Sequence, residues 1–172
     1  MIITVGGFPG SGTTTLSKKL CNAFGLTHVY AGQIFREMAQ TKGISLEEFS
    51  KQAEADETID LEVDQRQKEL AKENTVVDGR IAAHMVEADM KIWLSASLDV
   101  RVKRVSAREH ISTEESLRQV AERETSEKKR YKKYYTIDID DTSVYDLVIN
   151  TDLWDAEGVF QIVKAAIEVR EW

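Results

Sequence analysis

Apolar positions change period repeatedly along the chain, and each change marks a new element. Met1-Ile2-Ile3-Thr4-Val5 is a short, mostly β-branched run closed by Gly6 and Gly7, the pattern of a buried strand. From Thr13 the period lengthens. Leu16, Leu20 and Phe24 recur every four residues and Gly25 stops them, which predicts a helix. Thr27-His28-Val29-Tyr30 reads as a second strand, leading through Ala31-Gly32 into a helix that contains Ile34, Phe35 and Met38. Ser45-Leu46-Glu47-Glu48 has the form of a capping box, its acid at the third helical position. The helix it opens, and another around Ile59, Val63 and Leu70, extend to about Glu73. Thr75-Val76-Val77, Lys91-Ile92-Trp93-Leu94 and Tyr145-Asp146-Leu147-Val148-Ile149 supply three further strands. Helices are expected around Val100 to Arg108, from about Thr113 to Tyr135 (a polar one) and from Ala156 to Val169.

Strands alternating with helices predict an α/β fold, a five-stranded parallel sheet covered by helices on both faces. Ligands of such sheets bind at the carboxyl ends of the strands. This sequence punctuates those ends with Gly6-Gly7, Ala31-Gly32 and Asp78-Gly79-Arg80.

Composition narrows the class without changing that picture. The 172 residues suit one domain, 1–172, and the 42% apolar and 31% charged shares are ordinary for a globular protein. No apolar run approaches the roughly 20 residues that span a membrane. The first residues show neither a basic leader nor a cleavage site, and the single Cys21 excludes a disulfide framework or a cysteine zinc site. A cytoplasmic location and a monomer are expected. The formal net charge of −7 argues against a nucleic-acid face or an acidic-membrane surface. Between Arg101 and Lys133, however, 11 basic residues face 6 acidic ones, which suggests a localised anion site or else a solvated charged helix.

Gly7-Phe8-Pro9-Gly10-Ser11-Gly12-Thr13-Thr14-Thr15 follows a predicted strand and opens a predicted helix. Gly7 and Gly12 have the spacing of a phosphate-binding loop, with Thr13 where that motif carries lysine. Glycines let the backbone turn tightly and point N–H groups at phosphate oxygens, and the helix start adds partial positive charge. ATP is the expected ligand, with Thr14 at the motif's Mg²⁺-binding hydroxyl. Thr13 cannot supply the charge a lysine would, and Lys18 lies too far along the helix to replace it. The basic block after Arg101 is the better source.

Two further features resemble a nucleoside monophosphate kinase. Arg36 lies early in a helix just beyond a strand end, where its planar guanidinium could hold a phosphate. Asp78 could hold the waters around Mg²⁺ while Arg80 grips an acceptor phosphate. The alternative for either arginine is a surface ion pair. Arg123, Glu127 and Arg130 share one helix face, with the acid set between two bases. They form either an exposed ladder or a phosphate-closing lid. The near absence of an apolar stripe from Glu122 to Lys133 favours a weakly anchored lid, with some of Lys128, Lys129, Lys132 and Lys133 only solvated. The acceptor-binding helices then span about 31–73 and the lid about 109–135.

Taken together, the Gly-Ser-Gly-Thr-Thr-Thr loop, Ala-Gly-Gln-Ile-Phe-Arg and Asp-Gly-Arg resemble the cytidylate kinases, specifically the short archaeal type, over nearly the whole chain. The resemblance implies that Arg36 and Arg80 are acceptor-site arginines, that Arg123, Glu127 and Arg130 match the lid pattern, and that Thr13 is a family trait. Ala31, Ile81 and the lack of a large insert depart from the bacterial enzymes, so their base-reading residues do not transfer. The run from Asp60 to Gln67 is where the base is expected to be read, a carboxylate accepting from the cytosine amino group and a basic or amide donor meeting the ring carbonyl; Asp60, Asp64 and Arg66 are the candidates, and each could equally be a surface position.

The activity expected is Mg²⁺-dependent transfer of the ATP γ-phosphoryl group to CMP, and dCMP, with small nucleotides as the partners and no nucleic acid or membrane. Alternatives are a kinase for AMP or UMP, a regulatory module that binds ATP without turnover, and, more remotely, a nucleic-acid 5′-hydroxyl kinase. His28, His84 and His110 show no metal-ligand spacing. Cys21 is expected in the core, Trp93 in a buried strand, and Trp154 and Trp172 at the surface.

Overall fold

In the computed structural model, residues 1–170 are described; Trp172 lies outside them. Strand β1 (Ile2–Gly7) leads to α1 (Thr13–Phe24), β2 (Thr27–Tyr30), α2 (Ala31–Thr41), α3 (Leu46–Ala55) and α4 (Thr58–Leu70). Then come β3 (Thr75–Asp78), α5 (Ala82–Met85), β4 (Met90–Ser95), α6 (Leu98–Glu109), α7 (Thr113–Tyr135), β5 (Leu147–Asn150) and α8 (Ala156–Val169). The sheet order is β2-β3-β1-β4-β5 and every pairing is parallel. The carboxyl ends of β1 and β3 are therefore neighbours, with Val5 opposite Asp78. That register brings the glycine-rich loop beside Asp78-Gly79-Arg80.

The main core explains the alternating apolar runs. Ile3, Val5, Val76, Ile92 and Leu94 of the sheet pack against Leu16 and Leu20 of α1 and Val159, Val163 and Ile167 of α8. Cys21 is only partly buried at its edge. A second core (Ile34, Met38, Phe49, Ala53, Ile59 and Val63) ties α2, α3 and α4 into one unit. Helix starts follow the expected chemistry: Ser45 and Glu48 form both bonds of a capping box, Ser112 accepts from the Glu115 N–H, and Asp155 accepts from the Gly158 N–H.

Two differences from the sequence expectation have local causes. Strand β5 begins at Leu147, because the Tyr145 N–H turns back to the Thr142 carbonyl and the ring packs on Trp93 at 5.1 Å. Helix α5 is a single four-residue turn, too short to leave a periodic signal.

Candidate active site

Between β1 and α1 the backbone makes the cradle that the glycines predicted. Gly10 has φ +86, and a Cβ there would lie 2.6 Å from the Arg101 carbonyl. Gly12 sits at φ 102 as the N-cap of α1, and no side chain caps that helix start. Its first N–H groups are thus left facing the cleft. Thr14 Oγ1 donates to Asp78 Oδ2 at 2.8 Å, linking α1 to the end of β3. His28 Nε2 lies 3.6 Å from that same oxygen.

The outer side of this loop is braced by residues that sequence reasoning missed. Arg101 is buried and donates to the carbonyls of Ala96 and Pro9 and to Glu124. Arg104 donates to the Gly10 carbonyl and twice to Thr151. Phe8 meets Trp93 edge-on at 5.3 Å, with the Arg101 guanidinium and the Lys128 ammonium over its ring. The excess of base after Arg101 was visible in the sequence, but its carbonyl partners were not. Part of that block holds the loop rather than waiting for an anion.

On the opposite side, Arg36 is exposed, with long contacts to Tyr30 Oη and the Gly32 carbonyl, both 3.3 Å, and its guanidinium over the Tyr30 ring. Arg80 is nearly buried. It donates to the Gly7 carbonyl and grips Glu127 through Nε at 2.6 Å and Nη2 at 3.1 Å. Arg123 Nε reaches the same Glu127 carboxylate at 2.9 Å. Burial alone would raise the Glu127 carboxyl, but the Arg80 and Arg123 guanidinium groups outweigh it and hold the group at about 2.

Arg130 is paired instead with Asp60, and both are buried. Glu127 therefore does not bridge Arg123 and Arg130, as their spacing suggested; it bridges Arg123 and Arg80. Nor is the second half of α7 weakly anchored. Its anchors are polar: the Arg80–Glu127 and Arg130–Asp60 pairs, Lys129 on Glu54 at 2.7 Å, and Tyr134 Oη on the Ala53 and Glu54 carbonyls. A missing apolar stripe revealed nothing about those contacts.

The three base-reading candidates also separate. Asp60 gives one carboxylate oxygen to Arg130 while its buried Oδ2 has no partner; its carboxyl is raised by burial, against the pull of that guanidinium. Asp64 is buried too, accepting from Tyr135 Oη and from Gln67 Nε2, and burial pushes its carboxyl up to about 6. Arg66 is half exposed, bound to Glu62 at 2.5 Å, and lies away from the cleft. Gln67, which ends the run expected to read the base but is not among the candidates within it, is 2% exposed and lines the cleft.

One continuous cleft of about 1200 Å³ joins these parts, lined from Phe8 to Thr15 on one side and by Arg36, Asp60, Asp78, Arg80, Arg123 and Arg130 on the other. Among the described residues no cluster of three or more His, Cys, Asp or Glu could hold a metal by itself. The Thr14 hydroxyl and Asp78 carboxylate are nonetheless hard oxygen donors of the kind Mg²⁺ takes alongside water and substrate phosphate. His84 is half-buried against Tyr145, Trp93 is 2% exposed and Trp154 49% exposed. No described helix is long and apolar enough to cross a membrane.

Comparisons with known proteins bear on the fold and the family. Solved structures of low identity share the fold. An uncharacterized protein from Eubacterium ventriosum superposes with a TM-score of 0.75 at 20% identity, covering 99% of each chain. A shikimate kinase from Bacteroides thetaiotaomicron gives 0.64 at 16%, covering 98% of this chain and 99% of that one. Nearer relatives are the cytidylate kinase of Pyrococcus horikoshii, 59% identical across 98% of this chain and 88% of its own length, and that of Methanocaldococcus jannaschii, 53% identical across 98% of both. A model of the cytidylate kinase-like family matches residues 2–153, so the chain belongs to that family.

Proposed function

We propose that the protein transfers the γ-phosphoryl group of ATP to CMP, and to dCMP, giving ADP and the diphosphate. The observation that carries this reading is the single cleft in which a phosphate cradle faces a set of arginines on the acceptor side. A phosphoryl donor held by the Gly7–Thr15 loop would present its terminal phosphate toward Arg80 and Arg123. The acceptor phosphate, gripped by Arg36 and Arg80, attacks the γ-phosphorus through one of its own oxygens. The bond to the β–γ bridging oxygen breaks, and ADP leaves with that electron pair. No protein nucleophile is required; positioning and charge neutralisation suffice.

Thr14 and, through water, Asp78 would hold Mg²⁺, which when bound neutralises phosphate charge. Thr13 adds a hydroxyl and no charge, so cationic groups from beyond the loop must balance the transferring phosphoryl. Arg80 supports this role by its contact with the Gly7 carbonyl, and Arg123 by sharing Glu127 with Arg80. In this reading α7 is the lid, residues 31–73 carry the acceptor, and the protein acts as a cytoplasmic monomer.

The test is ADP release by the purified protein with CMP, dCMP, UMP, AMP and GMP. Preference for CMP and dCMP is expected. Activity with AMP and not CMP would overturn the acceptor assignment, and ATP binding without ADP release for every acceptor would make the protein a regulatory module.

A further inference from the structure

The acceptor side of the cleft holds a buried polar atom that none of the roles above uses. Gln67 is 2% exposed and its Oε1 has no hydrogen-bond partner. Its Nε2 donates to Asp64 Oδ1 at 3.0 Å, and the other oxygen of Asp64 accepts from Tyr135 Oη. An ionised carboxylate can only accept, so the amide must turn its NH₂ end toward Asp64 and its carbonyl away. On that far side lies Gly79, where a Cβ would come within 2.5 Å of Gln67 Oε1. Gly79 is not among the glycines of positive φ, so glycine here provides room rather than an unusual backbone conformation. A buried carbonyl left without a donor is a cost, and such an atom calls for an explanation.

We infer that Gln67 Oε1 accepts the 4-amino group of the acceptor's cytosine, and that Asp64, braced by Tyr135, is the positioning residue that keeps the amide in this orientation. The inference rests on the CMP reading above and specifies how that site chooses its base. Gln67 and Asp64 line the same cleft as Arg36 and Arg80, alongside Phe35, Val63 and Tyr131, so an apolar and aromatic wall adjoins the phosphate-gripping arginines. Uracil carries a carbonyl oxygen where cytosine carries the amino group, and would set oxygen against oxygen. A free glutamine amide could rotate and donate to uracil instead. Here rotation would turn the Gln67 carbonyl toward the Asp64 carboxylate, so the discrimination resides in the pair and not in the amide alone.

The experiment is steady-state ADP release with CMP and with UMP for wild type, Gln67→Leu, Asp64→Asn and Gly79→Ala, each checked for folding by thermal melting. Gln67→Leu should lower kcat/KM for CMP by about 30-fold or more while UMP changes less than about threefold. Asp64→Asn releases the amide and should raise UMP relative to CMP by about tenfold. Gly79→Ala pushes a methyl group against Oε1 and should narrow the CMP-to-UMP ratio; it keeps the inference testable if either polar variant fails to fold. A purely structural role for these residues would scale both substrates together. An unchanged ratio in the folded variants of a CMP-active enzyme overturns the inference alone, whereas a wild type inactive on CMP overturns the functional reading and this inference with it.

Discussion

Replacing Glu127 by Gln isolates one charge at the junction of the glycine-rich loop, β3 and α7. The shape is kept, but the carboxylate shared by Arg80 and Arg123 becomes neutral. Two routes give its magnitude. The Glu127 carboxyl is held at about 2, against an ordinary 4.5. At 1.36 kcal/mol per unit that lowering corresponds to about 3 kcal/mol of native-state stabilisation. Breaking a buried ion pair from one side costs about 3–5 kcal/mol, and the amide recovers part of this by hydrogen bonding. Both routes place the loss near 3 kcal/mol, or about 6–12 °C in Tm for a domain of this size. The sign follows from the lowered value. The stabilisation is fully present above the unfolded pKa and is lost as pH falls through the folded one. The Tm gap between wild type and Glu127→Gln should therefore stay nearly constant from pH 8 to 5 and then shrink, by about two-fifths at pH 3.5. Differential scanning calorimetry at pH 7, 5 and 3.5 measures it. A gap below about 2 °C at pH 7, or one that does not narrow in acid, would refute the reasoning.

Arg123→Ala and Arg130→Ala should each lower turnover, tenfold for each 1.4 kcal/mol of transition-state charge stabilisation lost. Only Arg130→Ala should also lower Tm substantially, because it strands the buried Asp60 carboxylate while Arg123 is over one-third exposed; full kcat in both would remove α7 from the chemistry. Asp64 has the opposite linkage to Glu127. Its pKa is raised from 3.8 to about 6, so its favourable contribution is present below pH 3.8 and lost as pH rises through 6. Wild type should lose about 2 kcal/mol relative to Asp64→Asn between pH 4 and 7, read from urea midpoints, with Asp60, Lys68, Arg130 and Tyr135 as the groups facing it. Arg66→Ala should leave the KM for CMP unchanged and stability within about 0.5 kcal/mol, since its partner Glu62 is as exposed as itself; a large rise in KM would return Arg66 to the acceptor site.

The features legible in the sequence are those encoded over a few neighbouring residues. Strand periods, the glycine spacing after β1, and the capping box at Ser45 are local, and the elements they predicted start within a residue or two of the observed positions. The features that escaped reading are pairings between distant residues. Arg80 and Glu127 are 47 positions apart, and Arg130 and Asp60 are 70 apart. A helix anchored by such pairs looks unanchored when only its apolar stripe is considered. The base-reading candidates separate for a different reason, Asp60 and Asp64 lining the cleft and Arg66 lying outside it, and the sequence did contain the signal. Ile59 and Val63 are the buried apolar positions of α4 and fix its inward face. Counting by three and four from Val63 reaches Asp60 and Gln67, with Asp64 beside it, while Arg66 falls on the solvent side. Choosing residues by charge gave Arg66 preference over Gln67. Choosing them by helical phase would have favoured the uncharged amide, the member of that face whose carbonyl remains unpaired.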